Sequence, residues 1–125
     1  MTAQPGAFHR AWSLFLLDHD RRVPEVLAKA REELNARKDV YGYDLLAWAL
    51  FKSGLYADAR RAALQALRLG TEDASLYYHA GMIERALGNS AASRDDLERA
   101  LAINADFHPL QSRIAREAME SLPVE

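Results

Sequence analysis

The 125-residue chain contains no cysteine, which excludes disulfide staples, thiolate metal sites and a cysteine nucleophile together. Long apolar runs are missing too. No window approaches the roughly 18 apolar residues of a bilayer span, so no membrane insertion is expected. The opening MTAQPGAFHRAW has no basic stretch followed by an apolar core, so we expect no export leader and a cytoplasmic setting. Nor is one sign of charge in excess. Sixteen basic residues against eighteen acidic give a formal net charge of −2. Without clustered positive charge to displace counterions, nucleic acid and anionic membrane are not expected partners. Catalytic motifs are equally scarce. His9, His19, His79 and His108 fall on four different segments with no i, i+4 pair among them, and there is no GxSxG elbow and no GxxxxGK[ST] phosphate loop. We therefore expect no metal, no cofactor and no enzymatic activity.

What remains is helix. Half the residues are hydrophobic and 27% are charged, an ordinary balance for a folded domain. Apolar residues recur at helical spacing, and glycine and proline fall between the periodic segments. The pattern predicts seven helices, at 7–18, 24–37, 41–52, 57–69, 74–87, 91–103 and 109–121. Gly54, Gly70 and Gly88 stand where positive φ can end a helix, and Pro24 and Pro109 suit first turns. Asp73 and Ser90 are the expected N-caps.

The chain also repeats. Residues 40–73 laid over 74–107 without a gap give six identities, pairing Tyr43 with Tyr77, Gly54 with Gly88, Ala57 with Ala91, Arg60 with Arg94, Ala66 with Ala100 and Leu67 with Leu101. Small residues recur where two helices would cross closely: Ala47, Ala59 and Ala66 in one unit, Gly81, Ser93 and Ala100 in the next. Tyr43, Leu46, Leu50, Tyr56 and Leu67 fill the remaining space.

The segments YDLLAWALFKSGLYADARRAALQAL (43–67) and YYHAGMIERALGNSAASRDDLERAL (77–101) resemble consecutive tetratricopeptide repeats, in the manner of the C-terminal repeats of larger bacterial members. Tyr43 and Tyr77 stand at the family's Trp, Leu46 and Ala80 at its Leu, and Ala47 and Gly81 at its Gly. Leu50 and Glu84, Ala63 and Leu97, and Thr71 and Ala105 depart from its Tyr, Phe and Pro. The resemblance implies an all-α, right-handed α-solenoid of antiparallel helix pairs in a single domain, 1–125. Residues 7–38 would be a degenerate first repeat, 40–73 the second, 74–107 the third and 108–122 a capping helix. A family subclass clamps carboxylate-ended tails with Lys, Asn and Arg. The matching positions here are Arg10 and Leu14, Leu45, and Ser75 and His79, so that clamp is absent.

In the family, stacked first helices form a concave groove for a partner's peptide or helix. On a helical wheel Tyr43, Leu46, Ala47 and Leu50 form the core stripe, and Tyr41, Asp44, Trp48 and Phe51 form a second. Adding 34 carries the second stripe to Tyr78, Met82 and Arg85, with His79 beside them, and then to Arg116, with Arg113 beside it. These ten residues are the expected partner-binding groove, aromatic at one end and basic at the other. The competing account of Trp48 and Met82 is that they fill the seam between repeats. Two further alternatives are a self-associating module that covers Phe8, Trp12 and Phe15, and the end piece of a longer array.

Overall fold

The computed structural model describes residues 5–123, with side chains from His9 onward. Among the described residues there are seven α-helices and no strand: α1 Pro5–Asp18, α2 Val23–Ala36, α3 Val40–Lys52, α4 Tyr56–Leu67, α5 Ala74–Ala86, α6 Ser90–Ile103 and α7 Pro109–Ser121.

Local chemistry sets the ends. The Asp39 carboxylate accepts the Gly42 N–H ahead of α3, and Asp73 accepts the Ser75 N–H ahead of α5. Each satisfies a donor that the first turn would otherwise leave open. At α7 the ring of His108 accepts N–H bonds from Leu110 and Gln111. Pro24 and Pro109 occupy first-turn positions. Gly54 and Gly88 close α3 and α5 at φ of 80° and 81°, a backbone region where a Cβ would be costly. One expected cap is corrected. Ser90 is the first residue of α6, the cap position belongs to Asn89, and its side chain makes no capping bond there. Instead, Asn89 Nδ2 donates to the carboxylate of Glu84, 2.8 Å away. The turn between α1 and α2 has no glycine, so Asp20 and Arg22 take φ of 55° and 53° themselves, at a cost of about 1–2 kcal/mol each.

Every helix packs on the next, and α1 with α3, α3 with α5 and α5 with α7 also touch, so the odd-numbered helices form a continuous row. Small residues permit the tightest crossings. Ser13, Ala47 and Gly81 are all buried, as are Ala59 and Ser93 opposite them. A Cβ on Gly81 would stand 2.7 Å from Leu97 Cγ and Cδ2, and the Ser93 hydroxyl donates to the Gly81 carbonyl at 2.8 Å. One core gathers Leu17, Val26, Ala30, Leu45, Trp48, Tyr78, Leu97 and Ala115 from six of the seven helices. A second gathers Ala47, Leu50, Ala59, Ala62, Ala63, Ala80 and Ile83 from α3, α4 and α5. No described helix is long and apolar enough to cross a membrane.

Candidate functional site

Along the row of odd helices lies a chain of polar contacts. Asp44 of α3, only 1% exposed, receives Arg10 Nη2 of α1 at 2.7 Å on one oxygen. Its other oxygen lies 2.8 Å from Nδ1 of buried His79 on α5. A carboxylate only accepts, so His79 Nδ1–H is the donor. Burial alone would raise the Asp44 carboxyl, but His79 and then Arg10 outweigh it and hold the group below its ordinary range. Arg10 also donates to the Tyr41 carbonyl and lies over the Tyr41 ring.

A second contact chain joins α1, α3 and α7. Trp48 Nε1–H donates to Asp18 Oδ1 at 2.9 Å, and Gln111 Nε2 of α7 donates to Asp18 Oδ2 at 2.9 Å. Trp48 stacks on Phe51 and His79, with ring centroids 4.7 and 4.2 Å away. Burial, with the Asp18 charge adding to it, pushes the Tyr78 hydroxyl well above the usual tyrosine range.

These contacts relocate much of the expected groove. Asp44, Trp48, Tyr78 and His79 are buried between helices and do not line an open surface. The physical reason is that α1, α3, α5 and α7 approach closely enough for their second stripe to pack against itself. Trp48 therefore fills the seam. Phe51 and Met82 are half-buried against the same core, while Tyr41, Arg85, Arg113 and Arg116 are exposed. The arginines are not gathered at one end. Arg85 donates to the Ser121 hydroxyl at the end of α7, whereas Arg116 reaches back to the Ala105 carbonyl before it.

Among the described residues, two of the clefts open to solvent bear on function. One of about 170 Å³ lies between α1, α2 and the start of α3, lined by Ala36, Gly42 and Leu45 together with Arg10, Arg37 and Tyr41. Its charges are already matched by Asp39, paired with Arg37 at 2.8 Å, and by Glu33. The other, about 280 Å³, lies between α4, α5 and α6 beside Arg60, Glu84, Asp95 and Asp96. There Arg60 Nε donates to both Glu84 oxygens at 3.1 Å. Burial, with Glu84 and Asp95 adding to it, raises the Asp96 carboxyl to about 7. No group of three or more His, Asp or Glu among the described residues is placed to hold a metal ion.

Sequence reasoning missed Arg10, Asp18 and Gln111. The signal for the first was available, because Arg10 and Asp44 are of opposite sign and 34 residues apart. Comparison with family models, with curated proteins and with solved structures finds no match to this chain.

Proposed function

We propose that the chain is a non-catalytic, tetratricopeptide-like scaffold that binds a peptide or helical segment of a partner protein. In this reading it is a right-handed α-solenoid of about three antiparallel helix pairs closed by α7, working in the cytoplasm. The observation that carries it is that helix ends and packing recur at one interval. Val40–Lys52 and Ala74–Ala86 differ by 34 at both ends, and α1 ends 34 residues before α3. Buried Ser13, Ala47 and Gly81 keep the same spacing. Recurrence of that kind supports stacked copies of one supersecondary unit, whose faces are built for contact rather than for chemistry.

With the seam residues buried, a partner reaches Tyr41 and the cleft beneath it. The apolar lining suits one apolar side chain of the partner, set beside the exposed Tyr41 ring. Exposed Arg85, Arg113 and Arg116 extend the contact surface along α5 and α7.

The test is capture from a lysate of the source organism on the immobilised chain. Wild type is compared with Tyr41→Glu and with Arg85→Glu, Arg116→Glu, each shown to be folded by circular dichroism. Proteins retained by wild type and lost by either variant support the reading and identify the partner. Identical retention by all three, or none by wild type, refutes it.

A further inference from the structure

Among the described residues, α1 packs on α2 and α3 alone. In α3 and α5, the residues that meet the preceding helix are defined by the cores. Ala49 is fully buried in the cluster that holds Val26 and Ala30 of α2. Ala80 and Ile83 are buried in the cluster that holds Ala59, Ala62 and Ala63 of α4. Moving back 34 residues from Ala80 and Ile83 gives Leu46 and Ala49, and moving back again gives Trp12 and Phe15. The interval is structural, since α1, α3 and α5 end at Asp18, Lys52 and Ala86.

Trp12 and Phe15 therefore hold the places by which α3 and α5 bury themselves, yet they are 53% and 48% exposed. Their rings stack 5.4 Å apart at 13°, and Phe15 rests on His19 at 4.4 Å. A single exposed apolar side chain needs no account. Two stacked aromatics need one when both of their internal counterparts are interfaces. Phe8, grouped with them from the sequence, has its side chain outside the described residues.

We propose that the Trp12–Phe15 face of α1 docks an amphipathic helix of a partner protein whose contact stripe is made of small residues. The internal counterparts set that requirement. The cluster of Ala80 and Ile83 holds the alanines of α4, and the cluster of Ala49 holds Ala30 of α2. Trp12 and Phe15 are bulkier than the residues they correspond to, so the facing helix must present small side chains to approach as closely. A second copy of this chain fits less well. Its alanine stripes on α2 and α4 are already covered, with Ala30, Ala59 and Ala62 at 3%, 0% and 7% exposure. At the far end of the row, α7 presents exposed Arg113, Arg116, Glu117 and Glu120. The docking face uses none of the residues that line the Tyr41 cleft, and it rests on the same 34-residue recurrence as the scaffold reading.

The test gives the full chain a probe helix at high effective concentration. A second copy of residues 54–70, containing the α4 stripe, is joined to Met1 through a flexible glycine–serine linker. Acrylamide quenching of tryptophan is then measured, with buried Trp48 as a constant background. The expected result is a several-fold fall in quenching of the exposed component. Phe15→Asp in the chain, or Ala62→Glu in the probe copy alone, should restore it. The second variant leaves the chain itself untouched, so the test survives any misfolding of the first. A fused chain whose Trp12 stays as quenchable as in the unfused protein overturns the proposal. So does a dimer of the unfused chain in sedimentation that protects Trp12, since it would give the face to a second copy.

Discussion

Placing one methyl group on Gly81 tests the closest helix crossing in the molecule. In an isolated helix Gly81→Ala would stabilise by about 0.5–1 kcal/mol, because alanine loses less backbone entropy. Here the new Cβ would sit 2.7 Å from Leu97 Cγ and Cδ2 and 3.3 Å from Asp96 Cβ, inside the roughly 3.5–4.0 Å at which carbon atoms attract. Leu97 is fully buried, so it has no solvent to swing into. Either α5 and α6 separate, straining the Ser93 bond to the Gly81 carbonyl, or Leu97 leaves its rotamer. Overpacking of this kind costs about 1–3 kcal/mol. After the propensity gain, a net loss of about 0.5–2 kcal/mol is expected, or roughly 4 °C in Tm per kcal/mol for a domain of this size. Urea unfolding followed by circular dichroism reads it directly. Leu97→Ala alone should cost about 2–5 kcal/mol through its cavity. The double variant should cost less than the sum by about 0.5–3 kcal/mol, because the new methyl occupies vacated space. A Gly81→Ala protein more stable than wild type, or strict additivity in the double variant, would refute the crossing geometry.

Other perturbations probe the seam and the acidic cleft. Trp48→Ala should lose about 3–5 kcal/mol in chemical unfolding, since the indole is 2% exposed and bonded to Asp18; a loss under about 1 kcal/mol would return it to an open groove. Asp44→Ala should lose about 3–5 kcal/mol at neutral pH, because it strands Arg10 and His79. Asp44 is held below its unfolded value near about 4, so its contribution is present above that pH and lost as pH falls through the lower folded value. The gap between wild type and Asp44→Ala should therefore narrow only in strong acid. Asp96 has the opposite sign, with its folded pKa raised to about 7. Its contribution is fully present below the unfolded value near about 4 and is lost as pH rises through about 7. Asp96→Asn should flatten the decline in stability across that window, an effect softened by the partial exposure of the site, and an unchanged pH profile would count against the burial assigned to Asp96.

The seven helices were legible because their causes are local. Apolar period, Gly54, Gly88, Pro109 and Asp73 each act within a turn, and the helix ends fall within about two residues of where those signals put them. The strained pair at Asp20 and Arg22 left no such mark, because left-handed backbone is usually announced by glycine. The second stripe was legible as well, but its destination was not. A free groove and a packed seam both call for Trp48, Tyr78 and Met82, and what separates them is the distance between helices. That distance depends on side chains from α1 and α7 that no single wheel contains. Asp44 held the better clue, being an acid in an apolar stripe that had to find Arg10 or His79 before it could be buried.

The bond between Asp18 and Gln111 joins residues 93 apart in the chain. An array whose units touch only their neighbours can fray from one end while the other stays folded. Here the same carboxylate holds the indole of α3 and the amide of α7, so opening α7 leaves a part-buried charge short of a partner on α1. The bond thus couples the two ends. Amide exchange in α1 should quicken when Gln111 is replaced by Leu, and the chain should unfold as a single cooperative unit, not repeat by repeat.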